Sequence, residues 1–276
     1  MRRTNRGVSD VVAFVLTFAI IIAGVGIVST GGFDRLNEFT NGQQIDNSER
    51  GMEAAASTVD TLHRNNDTYR DFDLSLSGGN VWFNETALTI STDTGDGPDL
   101  TGLNGNSDEA RIEVNALEHR FDSGDETVSI AYEGGGVFRT GTSRARYEPG
   151  ITVDGETAII SLVNLTTDET IDRSGAYGSE IALQPTGVPQ EAPVSADNQF
   201  ISFSAELTGQ QQVHETNLAG SEIEIDVSES AHPQQWGFFF EEAGNWDDQS
   251  DGVYETDGID TVLVRVSTIE LSVLSR

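Results

Sequence analysis

The chain of 276 residues contains no cysteine and no lysine. Without thiols there are no disulfides, no thiolate zinc sites and no cysteine nucleophile, so any core is held by packing alone. Without lysine, all 15 basic residues are arginine, set against 46 Asp and Glu, and the formal net charge is −31. A surface of that sign repels phosphate backbones, which argues against nucleic acid as a partner. It also repels itself. At about 1 M salt the Debye length falls to about 3 Å and that repulsion is largely screened. High acidity without lysine therefore reads as adaptation to strong brine. Hydrophobic residues make up 36% of the chain, with 13 Phe and 3 Trp, enough for a real core and too many for wholesale disorder.

A further absence is local. Val11–Phe33 runs 23 residues without a charge. A helix of that length is roughly 34 Å long, against a hydrocarbon core of about 30 Å. Arg2, Arg3 and Arg6 stand before it, and residues 34–276 carry 12 Arg against 45 Asp plus Glu, a net of −33. The pattern predicts a transmembrane helix in the cell membrane, single-pass, with the N-terminus cytoplasmic and the acidic body outside. Two other readings are a secretory signal cut near Ala23-Gly24 and a buried core helix. Within the run, Ala19, Ala23, Gly26 and Thr30 fall on one helical stripe, and small residues permit close helix–helix approach.

The helix is expected to continue beyond the apolar run. Met52, Ala55, Ala56, Val59 and Leu62 repeat at helical spacing, and Asn65-Asn66-Asp67 closes the element near Arg64, with a kink near residue 31 or 42. From there the chain reads as β. Phe72, Leu74 and Leu76 alternate, then Gly78-Gly79 turns into Val81-Trp82-Phe83. Ile112, Val114 and Ala116 read as one strand, and Val128, Ile130 and Tyr132 as another. Asp154-Gly155 marks a hairpin, and Gly134-Gly135-Gly136 a turn. Pro185, Pro189 and Pro193 mark a stiff connection near 185–199. In the last strand Val262, Val264 and Val266 share one parity and Ile269, Leu271 and Val273 the other, which predicts a bulge or bend near Ser267-Thr268. One helix is expected after a Ser230 cap, with Trp236, Phe239, Phe240 and Ala243 facing a sheet and Gly244 ending it. The predicted class is α+β: a long N-terminal transmembrane helix, then a mainly antiparallel, sandwich-like β body with one packed helix. The segments are 1–7, 8–65 and 66–276, with a subdivision near 185–199.

The N-terminus resembles the leader of archaeal type IV pilin-like proteins, including archaellins. Arg6-Gly7 matches the position where a prepilin-type peptidase cuts. Val8-Ser9-Asp10-Val11-Val12-Ala13-Phe14-Val15-Leu16 looks like the start of the retained helix. The resemblance implies cleavage between Gly7 and Val8 and a helix that later forms a filament core. Its partners would be the membrane, the peptidase and other pilin-like subunits, with self-association among them. Asp10 stands where many short haloarchaeal pilins have Pro, and Val12 where bacterial pilins carry Glu. The body is similar to uncharacterised haloarchaeal secreted proteins of that leader type, through Ile130–Arg139 and the Trp236 helix.

Chemical motifs are sparse. Asn66, Asn84 and Asn164 head N-x-[ST] sequons, glycosylation candidates in an outward-facing body. Asp93, Asp96 and Asp99, and Asp247, Asp248 and Asp251, are read as brine-adapted loops without EF-hand spacing. His63, His119, His214 and His232 show no metal spacing, and no nucleophile elbow or P-loop occurs. Neither cofactor, metal nor enzymatic activity is expected. The leading reading is a pilin-like envelope protein, a minor filament subunit or surface component. A tethered binding module and an anchored exported hydrolase are the alternatives.

Overall fold

The structure is a computed structural model that describes residues 6–65, 67–76, 80–93, 97–123, 126–168, 171–172, 180–182, 184–185 and 199–274. It divides into two units, Met1–Asp46 and Asn47–Arg276. Helix α1 (Arg6–Asn65) runs without interruption through the boundary. Its end at Asn65 is where the expected stop signals lie.

In the first unit, Val11 to Gly26 is exposed on every side. Phe14 and Phe18 stack one turn apart, with ring centroids 6.2 Å from each other. No helix among the described residues is long and apolar enough to cross a membrane. The expected transmembrane helix is overturned by this, and with it the single-pass placement in the cell membrane.

The second unit is mainly β, so α+β misstates the balance. Its strands are β1 (Tyr69–Leu76), β2 (Asn80–Asn84), β3 (Ala87–Thr92), β4 (Glu109–Glu113), β5 (Ala116–Ser123), β6 (Glu126–Glu133), β7 (Gly136–Arg139), β8 (Gly150–Asp154) and β9 (Thr157–Thr167). Then come β10 (Ile171–Asp172), β11 (Glu180–Ala182), β12 (Gln184–Pro185), the long β13 (Gln199–Asp226), β14 (Asp247–Ser250) and β15 (Val253–Val273). Helix α2 (Pro233–Ala243) lies between β13 and β14. An eight-stranded sheet follows the order β4-β3-β13-β15-β9-β8, with β1 on β13 and β14 on β15. A five-stranded antiparallel sheet follows β11-β2-β5-β6-β7. The short β10 and β12 pair with each other.

Several local expectations hold. Gly155, at φ 58°, turns β8 into β9. Gly134 and Gly135, at φ 61° and 104°, turn β6 into β7. Others do not. Phe72–Leu76 and Val81–Phe83 are not partners: β1 joins β13 while β2 joins β5. Ile112 and Ala116 belong to different sheets, because the chain breaks at Asn115, φ 37°. The Asn115 side chain accepts from Thr86 N (3.1 Å) and donates to Leu165 O (2.7 Å), which fixes the crossing from one sheet to the other.

The change of phase in β15 has a different cause from the one expected. β15 keeps an unbroken parallel register with β9 from Thr261 to Leu271. The extra residue, Thr208, is on β13, between Leu207 and Gly209. Val262, Val264 and Val266 enter the main core. Ser267 receives His63 of α1, and Ile269, Leu271 and Val273 share its parity and are buried. The strand thus has a covered face on each side, and the covered side switches along its length. β9 does the same: Ala158, Ile160 and Leu162 are in the main core, while Val163 and Leu165 are buried on the other parity.

Helix α2 begins later than Ser230 suggests. Pro233 occupies the first turn, where its missing N–H is harmless. Ser230 Oγ accepts instead from His232 N at 3.2 Å. Trp236, Phe239 and Phe240 are buried, whereas Ala243 is exposed. Gly244, at φ 70°, closes the helix by donating to Phe240 O. Trp236 packs on Phe138 of β7 (4.8 Å between centroids) and Phe240 on Tyr254 of β15 (4.7 Å). The α2 aromatics therefore tie the two sheets into one core.

Candidate functional site

Three features of the structure have chemical potential. The first is a cavity of about 280 Å³ in the second unit, where the last turns of α1 meet β6, β9 and β15. His63, from the end of α1, is 4% exposed. Its Nδ1 lies 2.8 Å from Ser267 Oγ and its Nε2 lies 2.8 Å from Arg265 Nη2. A guanidinium only donates, so Nε2 accepts and carries no proton. Nδ1 then holds the hydrogen and gives it to Ser267. Burial, reinforced by the Arg265 charge, lowers the His63 pKa to about 4. Asp60 pairs with Arg64 one turn on at 2.7 Å. Tyr147 and the buried Tyr132 also line the cavity. Burial first, and then the Asp60 charge, raises both phenols, Tyr132 well above the usual value.

The second feature is a buried polar row on the α2 side of the five-stranded sheet. Glu118 Oε2 accepts from Asn84 Nδ2 (2.5 Å) and Arg120 Nη2 (2.7 Å), and Glu118 Oε1 accepts from Ser129 Oγ. His232 Nε2 stands 3.5 Å from Ser129 Oγ and 3.7 Å from Glu118 Oε1. Burial works to raise the Glu118 carboxyl, but hydrogen bonds from Arg120 and Ser129 and the Arg120 charge outweigh it and hold it low. Ser, His and Glu are thus together, but in the wrong order for a relay. The carboxylate grips the hydroxyl directly, whereas a nucleophile–base–acid triad needs it to orient the imidazole. Nearby, the fully buried Glu133 accepts from Ala231 N (2.8 Å) and Trp236 Nε1 (3.1 Å), tying the start of α2 to β6.

The third feature is the apolar end of α1. Ala19 and Ala23 are exposed on it, and a Cβ built at Gly26 meets nothing within 4 Å. The Thr30 side chain lies outside the described residues, as do those of Arg6, Gly7 and Val8, though the backbone of these three is helical.

The sequons fare differently. Asn66 lies outside the described residues. Asn84 and Thr86 are 5% and 8% exposed, so a glycan on the folded protein would have to displace the contact to Glu118. Asn164 is half-buried and accepts from Asn115 Nδ2 at 3.2 Å. Among the described residues no three His, Asp or Glu side chains are grouped to hold a metal ion; Asp96 falls outside them. The sequence hides the His63–Arg265 pair because its members are about 200 positions apart. Only the placement of His63 on the buried stripe of α1 signals that it faces the core.

Fold and site together define a class: a mainly β body of two sheets joined by an aromatic helix, and a long N-terminal helix with an exposed apolar end. The chain belongs to a family of unknown function, DUF7289, which matches residues 6–272. No curated protein and no solved structure matches it.

Proposed function

We propose that this protein is a type IV pilin-like subunit that assembles through the apolar end of α1. One observation carries the reading. Ten large hydrophobic side chains between Val11 and Val25 are each 54–71% exposed. A helix apolar all round is stable only when surrounded by other apolar matter. Burying each such side chain contributes about 1.5–3 kcal/mol. Packing against the same segment of neighbouring copies satisfies the helix on all sides. The stripe of Ala19, Ala23 and Gly26 provides the close approach. Processing by a prepilin-type peptidase between Gly7 and Val8 frees the helix for assembly. The acidic β body is then displayed outside the helical core, a minor component of the filament.

The test is crosslinking of the full chain in its native host. Ala23→Leu and Gly26→Leu are expected to abolish crosslinked oligomers, and Ile21→Leu, off the stripe, to leave them intact. N-terminal sequencing of the mature protein should begin at Val8. A parent chain that gives no oligomer, or a mature protein that starts beyond residue 23, overturns the subunit role.

A further inference from the structure

We propose that the cavity beside His63 is a binding site for a small organic monocarboxylate. The polar groups around it are unevenly spent. Asp60 is already paired with Arg64, and both nitrogens of His63 are engaged. The donors are not. Tyr132 is 3% exposed, lines the cavity and has no hydrogen-bond partner among the described residues. Ser161 lines it as well, again with no side-chain partner among the described residues. Arg265 has no carboxylate within 4 Å among the described residues. Its only polar partner is the neutral imidazole of His63, and its Nε is buried without a partner.

That is anomalous for this chain. Seven other body arginines, Arg64 and Arg70 among them, each hold an Asp or Glu. With acidic residues in threefold excess, a half-buried guanidinium left without one has its counter-charge to gain from outside. Inside the rim, where Glu148 stands exposed, the unspent groups are donors, so the ligand must bring the acceptors.

Shape and charge narrow the class. A planar guanidinium matches a carboxylate as a two-pronged donor. Ile159 and Val163 on the wall suit a short apolar tail. The volume, about 280 Å³, is at the low edge of ligand pockets, which typically span about 300–1,000 Å³. Glu148, exposed on the rim, and the net charge of −31 disfavour multiply charged anions such as phosphate.

The experiment uses the full chain in non-ionic detergent at constant high ionic strength, with sodium propionate replacing sodium chloride. At ten times its Kd, propionate is expected to raise the melting temperature by about 3–6 °C over chloride. Arg265→Gln should abolish that rise and Tyr132→Phe should weaken it. Arg50→Gln, an exposed arginine outside the cavity, should preserve it. Proton NMR of the His63 ring gives an independent readout. A carboxylate bound at Arg265 should move the His63 titration midpoint upward. Equal melts in propionate and chloride would overturn the site, as would a propionate effect that survives in Arg265→Gln. If Arg265→Gln does not fold, the decision rests on Tyr132→Phe and the His63 midpoint: propionate that leaves the midpoint unmoved refutes the proposal.

Discussion

Lowering the pH from 7.5 to 5 should destabilise the β body through His63 alone by an amount that can be worked out. In the unfolded chain this imidazole takes up a proton near 6.5; in the fold it does so only near about 4. Between those values the unfolded state binds more protons. The stability linked to His63 is therefore fully present above about 6.5 and is lost as pH falls toward 4. At pH 5 the loss comes to about 2 kcal/mol, because each pH unit below the unfolded midpoint costs about 1.36 kcal/mol. For a domain of this size that is roughly 4–8 °C in melting temperature. The structural origin is specific. Protonation would place a second cation 2.8 Å from the Arg265 guanidinium and remove the acceptor it uses.

The control is His63→Gln. Its amide oxygen can accept from Arg265 and its NH₂ can donate to Ser267, and it does not titrate in this range. Carboxylates elsewhere begin to protonate near pH 5, so the quantity to follow is the difference between parent and variant, not either melt alone. Melting followed by near-ultraviolet circular dichroism at fixed multimolar salt, in half-unit steps from pH 7.5 to 5, gives it. The parent should lose its advantage over the variant progressively across that range. A difference that stays constant with pH would refute the assignment of a buried neutral His63 gripped by Arg265.

Other outcomes follow from the same structure. Glu224 and Glu255 stand directly opposite each other on β13 and β15, and burial followed by the like charge of Glu255 raises the neighbouring Glu222 carboxyl. Glu255→Gln should therefore raise the melting point at low salt, by about 0.2–1 kcal/mol of stability, and have little effect in multimolar KCl. The parent itself should melt higher as salt rises, and a melting temperature indifferent to salt would contradict the reading of its charge. Glu133→Ala leaves the Ala231 amide and the Trp236 indole N–H as buried donors without an acceptor, and denaturant unfolding should show a loss of about 2–6 kcal/mol. Trp236→Phe removes one of those donors, so the loss from Glu133→Ala should shrink in that background.

How much of this is legible in the sequence depends on the range of the interaction. Local rules read well. The α1 stripe from Met52 to Leu62 is buried as its spacing requires. The Gly155 and Gly134-Gly135 turns and the Gly244 stop follow from backbone chemistry confined to a few residues. Strand pairing reads badly. Phe72–Leu76 and Val81–Phe83 are neighbours in sequence and look like a hairpin, yet β1 pairs with β13, some 130 residues away. Alternation tells which side of a strand is apolar and says nothing about the partner. The apolar run at the N-terminus is a similar case: lack of charge is plain, but the environment that covers it is not written in the run itself.

The change of phase in β15 shows why the candidate site stays hidden in the sequence. A bulge is the natural explanation for a strand whose apolar parity switches, on the assumption that one face stays covered throughout. In the structure the strand runs on and the covering changes, from the α2 core to the end of α1. Where coverage passes from one face to the other, polar residues sit beside a core on both sides. Arg265 and Ser267 occupy those positions, and His63 of α1 meets both. The site is thus a product of the seam between two cores. In sequence it shows only as a stretch, Arg265–Thr268, where the apolar pattern breaks. A break of that kind in an otherwise regular strand is a place to look for buried polar chemistry before it is assigned to a bulge.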